Sequence, residues 1–509
     1  MDRYDRDLRS MQEARDKARA GARAAEEIAT FSEEKIDFIL QNMVRVAEAN
    51  KVMLAEMAHK ETGFGNLYDK TFKNHLASTL FYNEIKDMKC QGVLSDDEEK
   101  QVMEIAFPAG LVMGITPSTN PTSTIIFKAI CAIKARDAII FAPHPAALNC
   151  SIKAAELMAV AAEEAGAPEG VISVVTTPTM EASNWLMRCP EVKLIIATGG
   201  PGMVKAAYAA GKPAVGVGNG NSPAYIEKSA NIQQAVQNIK ISKTFDQGLI
   251  CASEQSIVVE EANKDAVIAE MKRQGYYFMT REQTEKVQNI IFKPGTHNMN
   301  SKFVGRKAEV IAAEAGFTVP EGTVILVGEQ EGVGPDYPLS YEKLTQVIAF
   351  YTVYNWKEAH DLCERLLQHG LGHTFSIHTE SKDMVMKFSD MPVCRIMVNS
   401  PSAQGGVGGC NNLLISYTLG AGTIGGSAVS ENVGPQNFIN KKVIAWATVD
   451  LSDLKAIDPT WDYDPEPEAP AADAFANAFA NSGAASTGIT QDQLNEIVNL
   501  MVKSLKGEK

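Results

Sequence analysis

Short apolar runs alternate with polar loops and helical segments between residues 108 and 202, and this alternation constrains the fold more than any other feature. The runs are Pro108–Ile115, Ala138–Ala142, Val171–Val175 and Lys193–Ala197. Each run has the length of a buried strand, and the intervening segments have the length and apolar spacing of helices. Strand, helix and strand in succession build a parallel sheet. The sequence therefore predicts an α/β fold with a doubly wound parallel sheet.

Polar residues and glycines follow three of the predicted strands. Asn120, His144 and the pair Gly199-Gly200 stand at the carboxyl ends of these strands, where open α/β sheets bind their ligands. The segment Thr198-Gly199-Gly200 lies between a buried strand and a helix, which suits the phosphates of a cofactor. A tight packing turn explains the same spacing equally well, so the glycines alone leave both alternatives open.

The rest of the chain adds helices before this sheet and a second α/β region after it. Residues 7–83 are rich in Ala, Glu, Arg and Lys and predict helices, with a turn at Glu61–Gly65. Beyond Ala214–Pro223, the strands predicted are Ser256–Val259, Thr323–Val327, Val347–Val353 and Val443–Ala447. The chain length alone predicts two or three domains.

One cysteine stands in an unusual context, in the segment Phe245–Gln255. Gly248 allows a turn, Ala252 and Ser253 leave room beside the sulfur, and a predicted strand follows. Cys251 therefore stands where a rigid strand would aim its thiol. On this segment alone a small buried cysteine is the better explanation, because that is the usual environment of a free cysteine.

The composition excludes several classes of protein. The net charge of −14 argues against a surface for nucleic acid or acidic membranes. The 8 cysteines form no C-x-x-C pair, which fits a reducing cytoplasm. The charged start predicts no secretory signal, and no apolar run approaches the ~18 residues of a membrane helix. His369, His373 and His378 cluster, but the intervening glycines favour core or loop histidines, so no metal site is predicted.

The composition changes again after Trp461. Residues 462–488 are rich in Pro, Ala, Asp, Asn and Ser and predict a flexible linker. Thr490 and Gln493 then form a capping-box pattern at the start of a helix. The apolar residues on one face of that helix are Leu494, Ile497, Val498, Met501 and Leu505. A short tethered helix needs a partner surface, either on its own domain or, as the long linker favours, on another molecule.

Several motifs of this chain together resemble the aldehyde dehydrogenase superfamily, in the branch that transfers the acyl group to coenzyme A. The motifs are Glu61–Gly63 with Lys73–His75, Thr119–Thr124, Phe245–Gln255, Gly372–Thr374 and Ser430–Pro435. Within that branch the chain is similar to the acetaldehyde and propionaldehyde dehydrogenases of bacterial microcompartments and to the aldehyde dehydrogenase half of bifunctional aldehyde–alcohol dehydrogenases. The similarity covers about residues 33–458. It implies a Rossmann-like cofactor domain, an α/β catalytic domain and an oligomerisation strand.

The resemblance also implies roles for individual residues. Cys251 matches the catalytic nucleophile, and Asn120 matches the asparagine whose side-chain amide joins the Cys251 backbone N–H in the oxyanion hole. Glu342 matches the glutamate that contacts the nicotinamide ribose, although the usual Phe and Pro beside it are missing. The residues that match other parts of the NAD site are Thr116, Pro117, Pro143, His144, Thr198, Gly199 and Gly200.

One departure from the family pattern concerns the acceptor of the acyl group. Hydrolytic members carry a glutamate that activates the deacylating water, and Val217 stands at that position here. Water attacks a thioester slowly without a base, whereas a thiolate needs no base once it is ionised. The sequence therefore predicts that NAD-dependent oxidation leaves an acyl thioester on Cys251. Coenzyme A would then remove the acyl group as acetyl- or propionyl-coenzyme A.

These inferences divide the chain into five segments. We expect an NAD-binding domain at 1–224, a catalytic domain at 225–434, a C-terminal return with an oligomerisation strand at 435–461, a linker at 462–489 and an amphipathic encapsulation helix at 490–509. The length predicts no fused alcohol dehydrogenase half.

The partners expected are a small aldehyde, coenzyme A, further copies of the chain in a dimer or tetramer, and shell proteins in the lumen of a cytoplasmic microcompartment. No metal, nucleic acid or membrane partner is expected. Two alternatives are a hydrolytic aldehyde dehydrogenase and a non-catalytic shell-binding protein on this fold. The presence of both Cys251 and Asn120 argues against the second alternative.

Overall fold

The computed structural model describes residues 5–450, 452 and 490–505. The chain divides into two compact units, Met1–Ile444 and Ala445–Lys509. The linker predicted at residues 462–489 lies outside the described residues. Among the residues that are described, no helix combines the length and the hydropathy that crossing a bilayer requires.

Helices occupy the first part of the chain, as its composition predicts. They are α1 (Arg6–Ile28), α2 (Glu33–Thr62), α3 (Leu67–His75) and α4 (Phe81–Ile85), with a π-helical turn at Leu76–Leu80. The Ser32 side chain caps α2 by accepting a hydrogen bond from the Lys35 backbone N–H. Gly63 ends α2 in the left-handed region, which confirms the turn predicted at Glu61–Gly65.

A five-stranded parallel sheet follows the strands β1 (Gly92–Asp97) and β2 (Val102–Pro108). It consists of β3 (Leu111–Thr116), β4 (Ala138–Pro143), β5 (Ile172–Val174), β6 (Val192–Thr198) and β7 (Ala214–Val217). Its helices are α5 (Pro121–Lys134), α6 (Leu148–Glu164), α7 (Met180–Arg188) and α8 (Pro201–Tyr208). The strand order is β5-β4-β3-β6-β7 with every pair parallel, which confirms the doubly wound sheet.

The strands β4 and β5 lie on one side of β3, and β6 and β7 lie on the other, so the strand order reverses its direction at β3. Ligands of such sheets bind at this reversal. The helix α5 packs beneath it and is buried along its whole length. The Lys128 Nζ of α5 donates to the carbonyl oxygens of Ile115, at 2.6 Å, and Ile196, at 2.9 Å. Burial lowers the pKa of Lys128 to about 7. This lysine therefore links the ends of β3 and β6 directly below the crevice.

A second, seven-stranded sheet is also parallel throughout, in the order β10-β11-β12-β9-β8-β13-β14. Its strands are β8 (Ser222–Ile226), β9 (Glu254–Glu260), β10 (Tyr276–Phe278), β11 (Ile325–Glu329), β12 (Val347–Val353), β13 (Phe375–His378) and β14 (Ile396–Val398). Its helices are α9 (Ile232–Thr244), α10 (Lys264–Arg273), α11 (Arg281–Ile291), α12 (Ala308–Glu314), α13 (Trp356–Leu367), α14 (Lys382–Lys387) and α15 (Ser402–Gly406). The chain passes from the first sheet to the second between Val217 and Ser222.

The last strand, β15 (Ile439–Ala445), joins β1 and β2 in a three-stranded sheet in the order β1-β2-β15. It begins four residues before the strand predicted at Val443–Ala447. Its first half, Ile439–Lys442, is largely polar, and β15 is exposed after Ile439, so no apolar alternation marks where it starts.

A helix is present where the tail of the chain predicts one, as α16 (Gln491–Leu505). The Oε1 atom of Gln493 accepts a hydrogen bond from the Thr490 backbone N–H at 3.0 Å. This contact is one half of the predicted capping box.

Candidate active site

A cavity of about 460 Å³ opens at the carboxyl ends of β3, β4 and β6. The segment that carries Cys251 forms the wall opposite these strand ends. Every site residue predicted from the sequence lines this cavity: Cys251, Asn120, Thr116, Pro117, Pro143, His144, Thr198, Gly199, Gly200 and Glu342. The structure thus brings these residues together, while the role of each stays a prediction.

The turn that presents Cys251 depends on an unusual backbone conformation. After α9, a short 3₁₀ turn spans Phe245–Gln247, and Gly248 adopts a φ of 80°. A side chain at Gly248 would also lie 2.7 Å from the Thr345 carbonyl oxygen, so only glycine fits this position. Cys251 then precedes β9, which begins at Glu254, as the sequence predicts.

A second glycine allows the backbone after β7 to approach the cysteine. A Cβ atom on Gly220 would lie 1.9 Å from the Cys251 carbonyl oxygen, closer than any two such atoms can come. The Gly220 backbone N–H donates to Glu342 Oε1 at 3.0 Å. Gly220 therefore lets the connection between the two sheets touch the Cys251 backbone, and its N–H holds the Glu342 carboxyl at the cavity wall.

A histidine that sequence analysis interpreted as a core or loop residue contacts the cysteine. The Nε2 atom of His373 lies 3.1 Å from Cys251 Sγ, and its Nδ1 atom lies 2.8 Å from the Thr374 hydroxyl. His373 is buried, as expected of a core residue, but its ring faces the thiol. The sequence signal was the Gly372–Thr374 motif, which gave no indication of its partner 122 residues away.

The thiol and the imidazole form a neutral pair. Burial, with a contribution from the nearby Glu342, raises the pKa of Cys251 to about 12, and Arg395 offsets part of this effect. Burial and the charge of Arg395 lower the pKa of His373 to about 3. The Arg395 guanidinium is itself fixed by the carbonyl of His373 at 2.9 Å and by Asn432 Oδ1 at 2.7 Å.

Asn120 stands directly before α5, and both ends of its side-chain amide make hydrogen bonds. Its Oδ1 atom accepts a hydrogen bond from Lys73 Nζ at 2.6 Å. Its Nδ2 atom donates to the Thr119 hydroxyl at 3.2 Å. One N–H of the amide therefore remains for a ligand in the cavity.

The strand ends around the cavity suit a dinucleotide. The hydroxyl oxygen of Thr116 is buried at the cavity wall without a hydrogen-bond partner among the described residues, as expected of a group that awaits a ligand. No atom lies within 4 Å of where a side chain on Gly199 or Gly200 would project, so a ligand has close access to the backbone. The helix α8 begins at Pro201, and its amino-terminal dipole favours a phosphate there.

The cavity contains one carboxyl group among its described lining residues, Glu342. Burial raises the pKa of Glu342 to about 8, so this carboxyl is largely protonated at neutral pH. Val217 also lines the cavity and is buried at the end of β7. The described lining thus presents Cys251 with the Asn120 amide but with no ionised carboxylate at neutral pH, and the His373 imidazole contacts the thiol from outside that lining.

Residues 6–305 match the model of the aldehyde dehydrogenase family. The bifunctional aldehyde-alcohol dehydrogenase AdhE of Escherichia coli strain K12 is 44% identical over 430 residues, which are 83% of this chain and 48% of that protein. The chain thus spans about half the length of the bifunctional relatives that it matches.

Two solved structures resemble this chain over most of their length. An acetylating aldehyde dehydrogenase from Geobacillus thermoglucosidasius is 48% identical, with a TM-score of 0.86 over 88% of this chain and 99% of that one. A propionaldehyde dehydrogenase from the fucose utilisation microcompartment of Clostridium phytofermentans is 26% identical, with a TM-score of 0.77 over 84% and 96%.

The neutral state of the thiol predicts how Cys251 reacts in the ligand-free protein. Its alkylation rate with iodoacetamide is expected to rise continuously from about pH 6 to about pH 10, because the thiolate reacts and the pKa of the thiol is about 12. Mass spectrometry of the Cys251 peptide measures the rate, and the exposed Cys410 in the same digest controls for loss of reagent. A plateau of the Cys251 rate below about pH 9 would contradict the neutral pair.

Proposed function

Because the chain belongs to the aldehyde dehydrogenase family, we propose that it oxidises a short-chain aldehyde with NAD and transfers the acyl group to coenzyme A. The observation that carries the proposal is a cavity lined by Cys251 and Asn120 without an ionised carboxylate among its described lining residues, together with the contact of His373 with the Cys251 thiol. Acetaldehyde and propionaldehyde are the substrates we propose, in keeping with the acetylating aldehyde dehydrogenase and the propionaldehyde dehydrogenase among the similar structures.

The first step is attack of Cys251 on the aldehyde. The thiol proton passes to His373 Nε2, 3.1 Å away, as the C–S bond forms and the carbonyl oxygen becomes negative. The Asn120 amide and the Cys251 backbone N–H donate to that oxygen, and a donor of this kind contributes about 3 kcal/mol. Loss of hydride from the adduct leaves an acyl thioester on Cys251.

NAD supplies the hydride acceptor when it is bound. Thr116, with its unpaired hydroxyl, and the open backbone at Thr198–Gly200 would hold it at the strand ends. His144 would contact the adenosine, and Glu342 the nicotinamide ribose. The described lining contains no lysine or arginine to pair with the additional phosphate of NADP, which supports NAD.

Coenzyme A completes the cycle as the acyl acceptor. Once His373 has released the proton of the first step to solvent, it accepts the proton of the coenzyme A thiol. The thiolate then attacks the thioester, the bond between the acyl group and Cys251 breaks, and the departing sulfur takes the proton back from His373. Val217 supports this acceptor over water, because an apolar side chain stands where a carboxylate would have to activate the water.

The reaction is tested by following NAD reduction with propionaldehyde in the presence and absence of coenzyme A. We expect turnover only with coenzyme A, and a loss of roughly a thousandfold or more in Cys251→Ala, because no other group replaces the nucleophile. The matched control is Cys410→Ala, which removes an exposed cysteine and leaves the rate unchanged. Equal turnover without coenzyme A would favour a hydrolytic dehydrogenase, and no turnover at all would favour a non-catalytic protein.

We propose that α16 directs the protein into a bacterial microcompartment by binding a shell protein. Ile497 and Leu500 are exposed on this helix, which is capped at Thr490. Exposed apolar residues on a tethered amphipathic helix suit insertion into a hydrophobic groove. The microcompartment source of the Clostridium phytofermentans relative supports the same environment.

Removal of residues 490–509 is expected to leave the solution activity intact and to abolish co-localisation with shells, measured by fluorescence microscopy of tagged protein. Charges on the apolar face, in Ile497→Glu with Val498→Glu, should have the same effect as the deletion, because a charged group opposes burial in a groove. Asn495→Glu with Asn499→Glu adds the same charge at polar positions and should leave targeting intact. Shell co-localisation of the deletion variant would rule out the proposal.

We propose a homo-oligomer, a dimer or tetramer, that forms through β15. This strand lies at the edge of its sheet, where its backbone groups face outward, and its Val443 is 58% exposed. Multi-angle light scattering is expected to give a mass of two or four chains. In Val443→Asp with Ile444→Asp the mass should fall to that of one chain, because charges weaken an apolar interface. A monomeric wild-type protein would exclude this assembly.

A further inference from the structure

A buried lysine holds the amide of Asn120. Lys73 on α3 is 2% exposed, and its Nζ lies 2.6 Å from Asn120 Oδ1. We propose that Lys73 is a positioning residue that fixes the orientation of the Asn120 amide and strengthens it as the hydrogen-bond donor of the oxyanion hole. This inference rests on the proposed function, in which Asn120 stabilises the oxyanion.

The chemistry of the contact determines which end of the amide faces the cavity. A lysine ammonium only donates hydrogen bonds, so the Asn120 oxygen must face Lys73 and the NH₂ group must face away. The other neighbour, the Thr119 hydroxyl, either donates or accepts and therefore cannot distinguish the two orientations. Without Lys73 the amide can turn over and present its oxygen to the oxyanion, where like partial charges repel.

The charge of Lys73 also polarises the amide. Hydrogen bonds from a charged donor are stronger than neutral ones, and a buried environment increases their effect along a chain of bonds. Burial lowers the pKa of Lys73 to about 8, which keeps it largely protonated at neutral pH. An amide whose oxygen accepts from an ammonium is a better N–H donor, which is the property an oxyanion requires.

The lysine is held by the segment that presents the nucleophile. Lys73 Nζ contacts Asp246 Oδ2, and Asp246 lies in the turn before Cys251. Asp246 also accepts from the Asn66 backbone N–H at 2.8 Å, just before α3. The position of the amide donor is thereby coupled to the position of Cys251.

The same helix provides a matched control. Lys70, one turn earlier on α3, is also buried and lies 3.0 Å from the same Asp246 oxygen. Its other contact is the backbone carbonyl of Thr119 at 3.4 Å, and no contact with the Asn120 side chain is present among the described residues. Either lysine can be removed while the other still pairs with Asp246.

The test compares Lys73→Met and Lys70→Met, alone and combined with Asn120→Ala. We expect Lys73→Met to lower kcat roughly tenfold with an unchanged KM for NAD, and Lys70→Met to lower kcat less than about threefold. In the Asn120→Ala background, Lys73→Met should cause no further loss, because its effect passes through the amide. Lys73→Arg, which keeps a charged donor, should retain more activity than Lys73→Met. Thermal denaturation confirms that each variant is folded.

A second readout separates this inference from the proposed function. The burst of p-nitrophenolate from p-nitrophenyl acetate reports acylation of Cys251 and the same oxyanion hole, but it needs neither NAD nor coenzyme A. A wild-type protein that shows the burst without aldehyde oxidation would overturn the proposed function alone. Equal losses in Lys73→Met and Lys70→Met, or losses that multiply with that of Asn120→Ala, would overturn the positioning role.

Discussion

A buried carboxylate between two lysines joins the turn before Cys251 to the helix α3. Asp246 is fully buried, pairs with Lys70 and Lys73 of α3, and accepts from the backbone of Asn66. Its φ of 43° is one that a non-glycine residue adopts only when its surroundings hold it. Removing such a carboxylate leaves two lysine charges buried without compensation, at a cost of about 3–5 kcal/mol. The turn before Cys251 therefore depends on an ion pair with a helix from the start of the chain.

The two parallel sheets supply the remaining groups from distant parts of the chain. Asn120 lies four residues after β3 and His373 two residues before β13, so one sheet carries the proposed oxyanion donor and the other carries the proposed base. Lys128 links the ends of β3 and β6 below the cavity, and Gly220 lets the connection between the sheets touch the Cys251 backbone. The geometry of the candidate site is thus set by buried polar contacts at the junction of two apolar cores.

The sequence predicted the elements that carry a strong local signal. The strands of the first sheet are largely apolar, and the residues at their carboxyl ends follow from the topology, so Asn120 and Thr198 could be placed in one crevice. His373 could not, because its partner is Cys251 and the contact spans 122 residues. Lys73 belongs to the motif Lys73–His75, but the sequence assigned it no role. A buried lysine is uncommon, and its partners, Asn120 and Asp246, lie on two other segments of the chain. Local patterns reveal strands and caps, whereas pairing between segments is a property of the folded chain.

In the proposed reaction, the pKa values around Cys251 favour a thiol over water as the acyl acceptor. Burial raises the pKa of Glu342 to about 8, so near neutral pH this carboxyl is mostly protonated and cannot act as a base. His373, with a pKa of about 3, accepts a proton far less readily from water, whose pKa is about 15.7, than from a thiol. A thiol with a pKa of about 8.5 is seven orders of magnitude more acidic, and a fraction of it is ionised before any base acts. In the proposed reaction, the same burial that keeps the resting Cys251 neutral therefore disfavours attack of water on its acyl thioester and leaves the thioester open to a thiol.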